Sequence, residues 1–260
     1  MQRFVKDLKK YYKYTLFAAK STLKSEVSDS HLNWLWWILD PLLFMFVYMF
    51  IALIVFQKGE KYFPIFVFIG LTVWNFFNKT IVKSIKVMKS NSAIVSKVYI
   101  PKYILIMQVE MINGFKMAVS FGLVLIMMIF FRVPVSIHVL WMIPLLILLI
   151  LGTFALGTIV AHFGVFIDDL NNIMTALLKL WFYMSGIFYS IEDRVPKPYS
   201  AILGKANPIG FVISQMRRCM LYEKGINTTM LLFWLAVSLT VAVIGVKMIY
   251  KYENTYIKVI

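Results

Sequence analysis

From Val133 to Ile167 the chain runs 35 residues without a charged side chain, between Arg132 and Asp168. A helix on a water-soluble core needs a polar face, whereas an apolar run beyond about 18 residues matches the hydrocarbon thickness of a bilayer. The run therefore commits this part of the chain to a membrane, with prolines 134 and 144 near the start of the span. Composition extends the conclusion to the whole. Of 260 residues, 61% are hydrophobic and 15% charged, where soluble domains carry about a quarter charged. The chain is too apolar for a soluble enzyme, and six stretches of about 20 residues leave no room for a separate catalytic domain.

The expected fold is an all-α membrane protein. An amphipathic interfacial helix (1–33) precedes a single transmembrane domain (34–260) with spans near 34–56, 64–82, 104–131, 138–165, 172–190 and 228–248. In the first segment Phe4, Leu8, Tyr12, Leu16, Ala19 and Leu23 recur at steps of three or four, and lysines 6, 9, 13, 20 and 24 fall mostly elsewhere on the wheel. Such a helix lies on a membrane surface. The alternative is a positive anchor that only fixes orientation. Lysines interrupt this segment throughout, so it does not read as a signal peptide.

Net charge is +15, from 27 Lys+Arg and 12 Asp+Glu. In a soluble protein that balance would raise nucleic-acid binding. Here the charges flank apolar spans, so membrane lipids are the expected partner, and no nucleic acid is. Sixteen of the basic residues fall on the side of the termini and of segment 79–103, and nine on the other. Both termini are therefore expected in the cytoplasm of a multi-pass protein of the cell membrane. The outer segment 192–227 holds six of the nine. In it Pro196, Pro198, Gly204 and the cap Asn207-Pro208 delimit two short helices. They read as a re-entrant hairpin over 195–222 or as an external loop with a surface helix.

The residues of chemistry are sparse. No G-x-x-x-x-G-K-[ST] loop is present, so if ATP drives the protein a partner hydrolyses it. Histidines 31, 138 and 162 lack ligand spacing, and Cys219 alone excludes an intrachain disulfide and a cysteine-built metal site. Asp168-Asp169 reads as a helix cap rather than a catalytic pair. No catalytic residue, metal or cofactor is expected on this chain. The ionisable residues Asp40, Glu110, Lys116 and Lys179 lie within spans. They could form an ion path, or be structural groups that pair, snorkel or sit wetted at the interface.

Three blocks then resemble the permease subunits of type-2 ABC exporters that export O-antigen, capsular polysaccharide or teichoic acid. The first is LKSEVSDSHLNWLWWILDPLLFMFVY, in which Leu32, Trp36, Leu39, Pro41, Leu42 and Leu43 fit the family pattern. The second carries Gly70-Leu71, Trp74, Phe76-Phe77, Ser84, Asn91, Ile94, Lys97-Val98-Tyr99 and Pro101. The third carries Gly186-Ile187-Phe188-Tyr189, Pro196 and Asn207-Pro208. Departures stand at Glu26-Val27, Asn33 and Asp168, where the family has basic or aromatic residues, glycine and arginine.

The resemblance implies a homodimer, each copy contacting a cytoplasmic ABC ATPase that holds ATP and Mg, with a lipid-linked glycan passing between the two copies. It implies a coupling helix over 88–102. The stretch is basic with apolar residues interspersed, as a helix docking in a partner's groove would be, and Asn91, Ile94, Lys97, Val98, Tyr99 and Pro101 are its candidate contacts. Aromatic faces suit a sugar path because they need no fixed hydrogen-bond register. The candidates are Trp36, Trp37 and Tyr48 on the first span, Trp74, Phe76 and Phe77 on the second, and Tyr183, Phe188 and Tyr189 at the end of the fifth. Lys20, Lys24, Arg217 and Arg218 are candidates for a pyrophosphate or a phospholipid headgroup. The function so implied is export of a cell-surface polysaccharide. The rivals are a type-2 exporter of drugs or small lipids, an ion-coupled secondary transporter and a structural scaffold.

Overall fold

The computed structural model describes residues 2–28, 33–50 and 61–259, with the backbone alone given for residues 2, 33, 34, 40, 41 and 48. The expectations for His31 and for the side chains of Asp40 and Tyr48 thus lie outside the described residues. What is described is helical throughout: α1 (Gln2–Ser28), α2 (Asn33–Met49), α3 (Phe63–Ser90), α4 (Ser92–Lys97), α5 (Tyr103–Phe130), a 3₁₀ turn (Ile137–Trp141), α6 (Met142–Phe166), α7 (Leu170–Met184), α8 (Ile191–Arg194), α9 (Tyr199–Ala206), α10 (Pro208–Leu221) and α11 (Thr228–Val259).

Four helices, α3, α5, α6 with its leading 3₁₀ turn, and α11, are long and apolar enough to cross a membrane. The expectation of six is not met among the described residues. Helix α7 has 15 residues, about 22 Å at 1.5 Å per residue against a hydrocarbon core of about 30 Å. Helix α2 has 17 and ends where the described residues end.

Helix α3 is the centre. Its most apolar stretch is 78% buried, against 28–39% for the other three, as befits a helix apolar on every side. It also outruns the expected span end at residue 82. Lys83, Lys86 and Lys89 follow one another at steps of three and face outward, while Ser84, Ile85, Val87 and Met88 stay buried. The polar stretch is thus an amphipathic extension of the same helix, with no breaker before Asn91. There the Asn91 amide donates to the Val87 carbonyl at 2.8 Å, taking a carbonyl of the last turn. The segment expected as one helix over 88–102 is therefore divided into the end of α3, the short α4, and extended chain leading to Pro101.

Helix α6 packs on α3 and α11 through small residues. A Cβ on Gly164 would run into the Ile85 carbonyl, and one on Gly245 into the Thr158 side chain. Small residues at such crossings let helix backbones approach closely. Helix α11 continues past 248, so the basic tail is helical. Its Tyr256 hydroxyl lies 2.7 Å from His162 Nδ1 in a buried aromatic nest.

Helix α1 packs along α5, and of the expected apolar face Leu8 and Leu23 are half-buried. Tyr12 and Leu16 are exposed, together with Val5 and Phe17, while Phe4, Tyr11, Thr15, Ala19 and Glu26 turn inward. The inner face binds through polar groups that a hydrophobic wheel discounts, which leaves the apolar outer face uncovered. Asp168-Asp169 departs from expectation as well. Asp169 makes no side-chain cap, since its φ of −77° and ψ of −4° are already helical, and Asp168 turns to Lys89 at 2.6 Å.

Candidate functional site

The end of the bundle that holds α4, the turn before α7 and the end of α11 carries a fastened ledge. Lys102, buried, donates from Nζ to the Val95 carbonyl at 3.2 Å. Burial lowers its pKa, and the charge of Glu253 works against that. The Tyr11 hydroxyl donates to the Tyr99 carbonyl at 3.0 Å, and the Arg3 guanidinium donates to the Tyr99 hydroxyl and, at 3.0 Å, to Glu253. Glu253 first and Tyr99 second raise the Arg3 pKa above its ordinary value. The N-terminal helix thus joins the ledge to the end of α11.

On this frame Val98 and Tyr99 stand 52% and 57% exposed, with Lys97 beside them also exposed. Ile94 and Asn91 are half-buried and Pro101 is buried. The candidate coupling residues therefore split into an outward group, 97–99, and an inward group that holds it.

The aromatic candidates divide in the same way. Trp74, Phe76 and Phe77 are 5%, 3% and 2% exposed. Trp74 packs on Phe182 with ring centroids 5.4 Å apart, Phe77 on Trp181 at 5.2 Å, and Phe182 on Phe188 at 5.3 Å. Trp74 and Phe77 thus join α3 to α7 while Phe76 turns to the α5 side, and within one chain all three are core. Trp36 and Tyr183 are exposed, while Trp37, Phe188 and Tyr189 are half-buried. Trp37 meets Phe115 edge-on at 6.1 Å, and the Tyr189 hydroxyl donates to the Tyr183 carbonyl at 2.8 Å.

Arg217 is no headgroup ligand. It is 4% exposed, and its guanidinium donates to the carbonyls of Phe66, Gly186 and Ile187 at 3.0, 2.7 and 2.6 Å. The group lies 3.4 Å from the Phe66 ring centroid. A Cβ on Gly70 would come within 2.6 Å of it, and Gly186, at φ +64°, turns its carbonyl into reach. Asn207 acts alongside. Its Oδ1 accepts from Gly210 N at 2.9 Å, capping α10 as the sequence suggests, and from the Trp181 indole at 2.8 Å, while its amide donates to Met184 O and Ser185 Oγ. Arg218 differs: it meets Glu192 at 3.6 Å on the wall of a polar cavity of about 250 Å³. Lys20 and Lys24 are exposed on α1.

One cleft was not anticipated. Between α2, α3 and α5 a space of about 30 Å³ is lined by the polar Thr72, Asn75, Lys79, Asn113, Lys116 and Ser120 and by the apolar Trp37, Phe76 and Met117, room for a single water. Thr72 Oγ1 and Asn113 Oδ1 are buried there without a hydrogen-bond partner among the described residues. At its edge Lys116 Nζ lies 2.5 Å from Glu26 of α1 and 5.0 Å from the Trp37 ring centroid, and Lys83 lies 3.5 Å from the same carboxylate. The signal was available as two polar stripes at helical spacing, 72-75-79 on α3 and 113-116-120 on α5. Lys116 is therefore a paired residue, while Glu110 has no ion-pair partner among the described residues.

Comparison with known proteins adds the family. The chain is 27% identical over 210 residues to the O-antigen export system permease protein RfbA of Myxococcus xanthus, covering 80% of each chain. It is 26% identical over 196 residues to the protein of the same name from Klebsiella pneumoniae, covering 75% of each. The profile of the ABC-2 type transporters matches residues 15–221. The apolar long helices, the lack of a phosphate loop and this match along most of the chain agree: the chain belongs to the ABC-2 type transporter family, as a multi-pass membrane permease without a catalytic domain of its own.

Proposed function

We propose that two copies of this chain form the membrane path of an ATP-driven exporter that moves a lipid-linked cell-surface polysaccharide, of the O-antigen, capsule or teichoic acid type, from the cytoplasm outward. The observation that carries the reading is the ledge at Lys97-Val98-Tyr99. It is exposed, basic and apolar at once, and braced by α1 and α11. A surface so held transmits displacement to the bundle, as a contact with a cytoplasmic ABC ATPase holding ATP and Mg requires. The names of the relatives, both O-antigen export permeases, support the substrate class.

In this reading both termini and the ledge face the cytoplasm, and an interfacial segment 1–33 precedes a transmembrane domain 34–260. The chain crosses six times, with α2 and α7 completing the four longer helices and with 195–222 as a re-entrant segment pinned by Arg217 and Asn207. Trp36, Trp37, Tyr183, Phe188 and Tyr189 are the rings left to face the glycan. Lys20, Lys24 and Arg218 remain for headgroups or pyrophosphate.

The test is copurification with the ATPase encoded beside this chain, followed by ATP hydrolysis with and without lipid-linked glycan from the host. A stable complex whose hydrolysis responds to that glycan supports the reading. A complex that responds to drugs or simple lipids instead overturns the substrate class, and failure to bind any ATPase overturns the coupling.

A further inference from the structure

A groove of about 430 Å³ opens between α5 and α11, with α6 as its floor and Phe4 of α1 closing one end. That volume lies within the ~300–1,000 Å³ of small-molecule sites. Its walls are apolar. Ile147, Ile150 and Leu239 along it are exposed in the isolated chain, and the polar side chains at it are Glu110, Lys247 and Tyr250.

Glu110 is 8% exposed, and its Oε1 is buried without a hydrogen-bond partner among the described residues. Such a group calls for a ligand, because buried carboxyls are otherwise paired. Lys247 is exposed at the mouth.

The heights of the two groups follow from the helix register. The Tyr250 and Tyr103 hydroxyls lie 3.2 Å apart, which brings those residues to a similar height. Glu110 lies seven residues up α5 from Tyr103, about 10 Å, and Lys247 three residues up α11 from Tyr250, about 5 Å, at 1.5 Å per residue. The carboxyl is therefore roughly 6 Å deeper than the root of the ammonium group. In a phospholipid the phosphate and the acyl ester carbonyls stand in that order, the esters deeper. When protonated, Glu110 offers one O–H donor, and an ester carbonyl is an acceptor.

We propose that this groove is a phospholipid site, in which Lys247 takes the phosphate, Glu110 donates to an acyl ester carbonyl, and the acyl chain lies along Ile147, Ile150 and Leu239. The site is independent of the glycan path, and a lipid held there braces α5 against α11 beneath Phe4.

The full chain, purified in mild detergent, is titrated with a diacyl phosphatidylglycerol and with its diether analogue under native mass spectrometry. One saturable lipid is expected, with the ester form retained roughly fivefold more strongly than the ether, the ratio one hydrogen bond supplies. Glu110→Gln, which still has a donor, keeps that preference, and Glu110→Leu abolishes it. Lys247→Gln weakens both lipids. Ile150→Trp, at the exposed rim, fills the groove and removes the bound lipid with the thermal midpoint of the lipid-free chain unchanged. Equal retention of ester and ether lipids, survival of the adduct in Ile150→Trp, or displacement by a polyprenyl phosphate that lacks an ester overturns the proposal. So does crosslinking of Ile150 to a second copy of the chain.

Discussion

Arg217 donates from Nη2 to the Ile187 carbonyl at 2.6 Å, across 30 residues of chain. With its bonds to Gly186 and Phe66, it joins α10, the turn after α7 and the first turn of α3. Only a guanidinium supplies three donors in this fixed fork. Replacing Arg217 with Met should destabilise the chain by about 2–5 kcal/mol, through loss of charge-assisted bonds and orphaned carbonyls. Arg217→Lys should recover little of this. Thermal unfolding in detergent measures both, and a wild-type midpoint in Arg217→Met would show that the pin is not structural.

The ledge makes a contrasting prediction. Val98 and Tyr99 are exposed and away from the core, so charged residues at both should leave the fold intact, with stability changes within about 0.5 kcal/mol as is usual for surface sites. Tyr99 contributes a hydroxyl to Arg3, so Tyr99→Glu keeps that contact as an ion pair. Coupling should nevertheless fall by at least about tenfold, if each lost contact at the ATPase interface is worth over 1 kcal/mol. Substrate-stimulated ATP hydrolysis by the complex reads this, and full transport by the double variant would remove the ledge from the mechanism.

The acid dependence of the turn between α6 and α7 has a definite sign. Lys89, bonded to Asp168 at 2.6 Å, holds its carboxyl below the usual carboxylate range. A depressed folded-state pKa gives stability that is present above the unfolded value, near 3.9, and lost as pH falls through the folded one. Asp168 is exposed, so the contribution is small and falls with salt. Wild type should melt slightly above Asp168→Asn at pH 6 in low salt, and the gap should close as pH falls through the lowered folded-state pKa, where the Asp168 carboxyl is protonated in folded and unfolded chains alike. A gap that widens on acidification would contradict the pairing.

How far these relations could be read in advance depends on the physics each uses. Helix α6 was legible because a charge-free run has one sensible environment. Asn207-Pro208 was legible because a cap followed by proline is a local signal. The burial of Trp74, Phe76 and Phe77 was not, since aromatics at a path and aromatics in a core have the same spacing, and only the approach of α7 and α5 decides between them. Arg217 was misread for the opposite reason: an arginine outside the spans looks solvated until three carbonyls from distant segments converge on it. The inward turn of Asp7, Tyr11 and Glu26 on α1 was hidden because these residues, with the exposed Arg3, bond to partners far along the chain.

Glu26 yields the last prediction. Its carboxylate meets Lys116 at 2.5 Å and Lys83 at 3.5 Å, and so ties the end of α1 to both α5 and α3. Lys116 is 18% exposed and Glu26 28%, so solvent screens the pair only in part. Glu26→Gln leaves two ammonium groups facing each other beside the cleft, whereas Lys116→Met removes one of them, together with its cation–π contact to Trp37. The carboxylate variant should therefore be the more damaging, by about 1–2 kcal/mol, although each removes one partner of the same bond. The double variant should recover part of that loss, because the repulsion is relieved once Lys116 is gone. A double-mutant cycle on thermal midpoints measures the coupling. Strict additivity would mean that the two groups do not interact in the membrane, and that α1 is held by its Arg3 and Tyr11 end alone.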